Sequence, residues 1–109
     1  MLGKYKLAHL IGITRNHEKE FRSVEEALTK QGYICFAPVI YNFDDYLRMP
    51  EMLDDMCYEK LLISDLLVLV TPEHVGKSTT LRIQQARERG IPVYVFENNE
   101  LIPYQEGKE

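Results

Sequence analysis

Apolar residues recur along this chain with two alternating periods, and the switch from one to the other lays out its elements. From Tyr5 to Ile13 the residues are apolar and β-branched enough for a strand, whereas Phe21, Val24, Ala27 and Leu28 share one face of a helix over 18–31 that Gly32 stops. Residues 33–37 read as a second strand, ended by Pro38. Pro50 opens a second helix through Ile63, with Leu53, Met56, Cys57 and Leu61 as its core face. Residues 66–70 hold no polar side chain, the composition of a strand covered on both faces. A third helix, capped by Ser78 or Thr79, runs to Arg89 and stops at Gly90; residues 92–96 form a fourth strand. The tail beyond it contains Leu101, Ile102 and Tyr104 but shows no period that assigns an element.

Strands alternating with helices imply right-handed parallel crossovers, and so a three-layer α/β sandwich. The expected sheet is parallel, with 4 to 5 strands in the order 2-1-3-4(-5). That order reverses between strands 1 and 3, and ligands of such sheets bind at the carboxyl ends of the two strands at the reversal. Residues 13–17 and 71–79 then face one another across a crevice. The loop 39–50, about a dozen residues and longer than most such connections, belongs near its rim.

A chain of 109 residues is read as a single domain, 1–109. Its net charge of −4 argues against a general nucleic-acid binder. The charge is uneven, however: acids dominate residues 44–65, whereas residues 74–89 carry Lys77, Arg82, Arg87 and Arg89 against Glu88. An anion-seeking surface is to be sought in the second segment. Cys35 and Cys57 lie in apolar periodic segments without a CxxC pair, as buried thiols of a reducing cytosol do. No cleavable leader pattern is present, and no apolar run approaches about 18 residues. The expectation is a soluble cytoplasmic protein without membrane contact, metal or cofactor.

The stretch LLVLVTPEHVGKSTTLRI, residues 66–83, resembles a phosphate-binding loop at first sight. That motif requires GxxxxGK[ST], and Thr71 stands where its first glycine belongs, followed by Pro72, which has no N–H to donate. What remains is a strand, a tight loop and a helix start at Gly76, Lys77, Ser78 and Thr79. Free N–H groups and two hydroxyls there suit an anion or a sugar hydroxyl. Arg82 in the helix, with Thr14 and Arg15 from the facing loop, would complete such a site. Tyr41, Phe43 and Tyr46 on the long loop fit stacking on a planar base, or equally packing over the sheet edge or a dimer contact. Asp65, just before a buried strand, reads as a structural hydrogen-bond acceptor. Glu73 and Glu97 fall at carboxyl ends of strands, where a catalytic carboxylate would be useful, with a solvated acid as the default reading of each. His9, His17 and His74 have no ligand spacing, and no serine-nucleophile elbow occurs.

From about residue 7 to 97 the chain resembles small proteins of the nucleoside 2-deoxyribosyltransferase-like superfamily. The likeness rests on Phe21, Glu25, Leu28 and Gly32-Tyr33 in the first half. In the second half it rests on residues 60–65 leading into LLVLV, then Gly76-x-Ser78-Thr79, Ile83, Ala86, Gly90 and Pro92-Val93-x-Val95-x-Glu97. The resemblance implies a flavodoxin-like fold and oligomers, here a homodimer, that complete the pocket. It also implies cleavage or exchange of the N-glycosidic bond of deoxynucleosides or their monophosphates, through a glycosyl ester on a glutamate. In the pattern G-x-S-T-x-x-E-I that glutamate position holds Arg82, which cannot form the ester and would repel an oxocarbenium centre. The expected function is therefore binding of a nucleotide or nucleoside phosphate without the usual catalysis. Thr14, Arg15, Tyr41, Gly76, Lys77, Ser78, Thr79 and Arg82 are its expected ligand contacts. Two alternatives stand beside it: an active transferase or N-glycosidase using Glu73 or Glu97, and a protein-interaction module with a vestigial pocket.

Overall fold

A computed structural model gives the fold and describes residues 3–14, 16–37, 50–73 and 75–105. The expectations placed on Arg15, Tyr41, Phe43, Tyr46 and His74 lie outside the described residues. In chain order the elements are β1 (Lys6–Ile11), α1 (Glu18–Lys30), β2 (Tyr33–Phe36), α2 (Pro50–Leu62), β3 (Leu66–Leu69), α3 (Lys77–Glu88), β4 (Val93–Glu97) and β5 (Glu100–Pro103). One sheet holds the strands in the order β2-β1-β3-β4-β5. β1 runs parallel to β2 and β3, and β3 parallel to β4.

The pleat of β1 divides the molecule. Ala8 and Leu10 point to the side where α1 lays down Phe21 and Leu28, joined there by Leu66 and Val68. Ile11 points to the other side with Leu67, Leu69, Val93 and Val95, under Leu61 of α2 and Ile83 and Ala86 of α3. Helices thus cover both faces, and every residue of β3 is buried as its unbroken apolar run requires. Full burial of each such side chain contributes roughly 1.5–3 kcal/mol. Asp65 locks the entry to β3: its carboxylate accepts the Leu7 N–H at 2.7 Å, and its own N–H reaches the Leu7 carbonyl at 2.8 Å.

Two expectations are corrected. The fifth strand exists but is antiparallel, paired with β4 through Glu97↔Glu100 and Phe96↔Leu101. Asn98 and Asn99 both take positive φ, 52° and 65°, the pair of left-handed residues that a two-residue hairpin loop demands. Asparagine tolerates that region better than other residues with a Cβ. In α2, Met56 is exposed and does not share the core face. Leu53, Cys57 and Leu61 are four residues apart, and one residue's step of about 100° turns Met56 off their line.

Candidate functional site

The loops that follow β1 and β3 are fastened to each other. Gly12 has φ of 142°, and a Cβ built there would stand 2.5 Å from the Thr71 hydroxyl oxygen, so the backbone conformation and the close approach both require glycine. The next residue, Ile13, donates its N–H to that hydroxyl oxygen at 3.0 Å, and Val70 donates to the Ile11 carbonyl at 2.9 Å. Thr71, which breaks the phosphate-loop pattern in the sequence, is fully buried as the peg of this clasp.

The start of α3 differs from expectation. Its N-cap is Gly76, with extended backbone (φ −84°, ψ −178°), and no side chain caps the helix. Ser78 and Thr79 are already helical, two and three residues past the N-cap, so their hydroxyls lie too late to cap. Thr80 instead turns its hydroxyl back to the Gly76 carbonyl at 2.9 Å.

Between the end of β1 with its loop, α2 and the first turns of α3 lies a cavity of about 140 Å³. Gly12 and Thr14 line it from the first loop, and Ser78, Thr79 and Arg82 from α3. The sequence had placed Thr14, Ser78, Thr79 and Arg82 at one crevice, and here they meet. Gly76 and Lys77 are exposed and stand outside the lining. Glu73 and Glu97 are exposed as well, outside the lining; Glu97 sits beside the β4–β5 turn. The basic segment does not act as one surface. Arg87 donates to the Tyr104 carbonyl at 2.8 Å, and Arg89 lies over the Tyr58 ring, 5.5 Å from its centroid.

The wall formed by α2 and β1 was not foreseen. It brings Asp54, Cys57 and Lys60 of α2 and His9 of β1 to the cavity. Arg82, with a side chain only 4% exposed, donates through Nη2 to Asp54 Oδ1 at 2.6 Å and through Nη1 to Gln85 Oε1 at 2.8 Å. The spacing carried a signal for this. Thr79, Arg82, Ile83 and Ala86 stand at i, i+3, i+4 and i+7, which puts the arginine on the inward stripe, where a charge needs a partner.

His9 is 2% exposed, and its Nε2 lies 3.4 Å from Cys57 Sγ. Burial drives its pKa down to about 4, helped by the positive charges of Lys60 and Arg82, while the Lys60 backbone pulls weakly the other way. Nδ1 has no partner at hydrogen-bonding geometry among the described residues. Burial also raises the Cys57 thiol, and the two nearby cations only partly offset it. Near neutral pH the contact is therefore between a thiol and a neutral imidazole, not a thiolate–imidazolium ion pair. Cys35 and Cys57 are both free. Among the described residues there is no His/Cys/Asp/Glu cluster suited to a metal, and no helix is long and apolar enough to cross a membrane. Comparison of this chain with protein-family models, with curated proteins and with solved structures gave no match.

Proposed function

We propose that the protein binds a nucleotide or nucleoside phosphate in this cavity and does not carry out glutamate-dependent glycosyl transfer. The observation that carries the reading is the meeting of Thr14, Ser78, Thr79 and Arg82 at the carboxyl ends of β1 and β3, where the strand order reverses. The parallel part of the sheet supports a flavodoxin-like reading, with β5 as an antiparallel addition. Hydroxyls, the start of α3 and two cations, Lys60 and Arg82, suit a sugar phosphate. At about 140 Å³ the cavity falls well below the roughly 300 Å³ from which pockets for whole drug-sized ligands start, so it suits the sugar-phosphate end and leaves a base outside. Binding is favoured over the catalytic alternative because, among the described residues, Glu73 and Glu97 stand outside the lining and Asp54, a carboxylate within it, is engaged by Arg82.

Calorimetric titration with nucleosides, their 5′-monophosphates and inorganic phosphate tests this. Binding is expected for the phosphorylated compounds, with no free base appearing on prolonged incubation with deoxynucleoside monophosphates. A flat panel removes the binding reading. Release of base restores the enzymatic one.

A further inference from the structure

Arg82 is a buried charge held by a partner that sits half in water. A guanidinium does not give up its proton, so in the core it must always be matched by an acceptor. Among the described residues its charged acceptor is one oxygen of Asp54, whose side chain is 55% exposed. The other terminal nitrogen donates, among the described residues, to a neutral group, the Gln85 amide oxygen. Asp54 can leave by a rotation into solvent that rehydrates its carboxylate, whereas Arg82, packed beside Ile83 and Thr79, cannot follow it out. Both residues line the cavity, and Lys60, Ser78 and Thr79 line the same space.

We infer that an oxyanion of the phosphate class displaces Asp54 from Arg82 when the ligand binds, and that the guanidinium, rather than the exposed Lys77 end of α3, is the ligand's main contact. The inference rests on the nucleoside-phosphate reading of the cavity. A phosphoryl group presents several oxygens to the planar fork where Asp54 presents one. It also accepts from the neighbouring hydroxyls, which a carboxylate fixed on α2 does not reach together with Arg82. Until then Asp54 neutralises Arg82 and, as a negative charge in the cavity wall, competes with every incoming anion.

The test uses the full chain and inorganic phosphate, with a nucleoside 5′-monophosphate beside it. Asp54→Asn keeps an oxygen for Arg82 and removes the competing charge, so phosphate is expected to bind about tenfold more tightly. Equal or weaker binding by this variant overturns the exchange. Because the substitution also weakens a packed contact, the wild-type chain is measured in parallel by carbon-detected NMR of the Asp54 carboxyl. On saturation with phosphate its resonance is expected to move toward that of the exposed neighbour Asp55. A resonance that stays in place while phosphate binds overturns the exchange and leaves the nucleotide reading standing. Failure of wild type and Asp54→Asn alike to bind either probe removes both.

Discussion

The two faces of the sheet are built from the same strands but do different things. On the α1 face the fully buried cluster is hydrocarbon, Ala8, Leu10, Phe21, Leu28, Leu66 and Val68, with Tyr33, Cys35 and Tyr94 packed part-buried against it. On the α2/α3 side the same β1 turns His9 inward one residue away, beside Cys57, and α3 sinks Arg82 and Thr79 into the core. Burying polar groups is costly unless each finds a partner, so a face that accumulates them gives up stability that the other face does not. Both faces hold the fold through buried apolar clusters, and the α2/α3 face alone adds buried charge and hydrogen-bonding groups at a cavity among the described residues.

Substitutions should separate the two. Leu28→Ala on the α1 face removes a fully buried side chain and is expected to destabilise by about 2–5 kcal/mol in urea unfolding. Phosphate affinity of the folded protein is expected to stay unchanged. A parallel loss of affinity would mean that the faces are coupled and the division above is wrong.

A smaller effect is expected from pH, and it arises on the other face. The folded pKa of His9, about 4, lies below the value of 6.5 for a free side chain, so the unfolded chain takes up a proton that the folded chain refuses. Stability from this residue is complete above pH 6.5 and is lost as the pH falls from there toward 4. The loss is about 1 kcal/mol at pH 5.5 and about 2–3 kcal/mol at pH 4.5. His9→Phe keeps the ring against Phe36, where His9 makes an edge contact at 6.5 Å, and removes the titration. The difference in unfolding free energy between wild type and His9→Phe should narrow or change sign in favour of the variant as the pH drops. A constant difference from pH 7 to 4.5 would show that His9 does not titrate in this window.

How much of this the sequence disclosed follows from the range of the interactions involved. The helices and parallel strands repeat an apolar pattern locally, so α1 and β3 could be read from spacing, whereas the order β2-β1-β3-β4 was an expectation about topology that the sheet meets. β5 could not, because Glu100–Pro103 is a strand only by virtue of pairing with β4, and its loop is marked by Asn-Asn rather than by a glycine. Its terminal Pro103 is tolerated because the strand lies at the sheet's edge. That Thr14, Ser78 and Thr79 line one cavity was legible because topology alone brings the ends of β1 and β3 together. Asp54, Lys60 and His9 were not, since only the docking of α2 over β1 converts a polar position in a strand and two charges on a helix into one cavity wall. The buried position of Arg82 was written in its helical spacing, but the acid that answers it was not.

The smallest expected change in stability accompanies the largest loss of binding, and it falls on Arg82. Removing one member of a buried ion pair is severe when the charge left behind stays buried. Here the charge left behind is Asp54, already half in water, and methionine fills the space of the arginine stem with apolar surface. Replacing a buried pair by hydrocarbon is often neutral or stabilising. Arg82→Met is therefore expected to shift unfolding by no more than about 1 kcal/mol in either direction, discounted for the solvent screening of the pair. The same substitution is expected to abolish detectable phosphate binding. A stable Arg82→Met protein that still binds phosphate would place the anion on Lys60 and the α3 amides. A protein destabilised by several kcal/mol would instead mark Arg82 as a structural residue of the core, and would bring the two faces of the sheet closer in kind than their composition suggests.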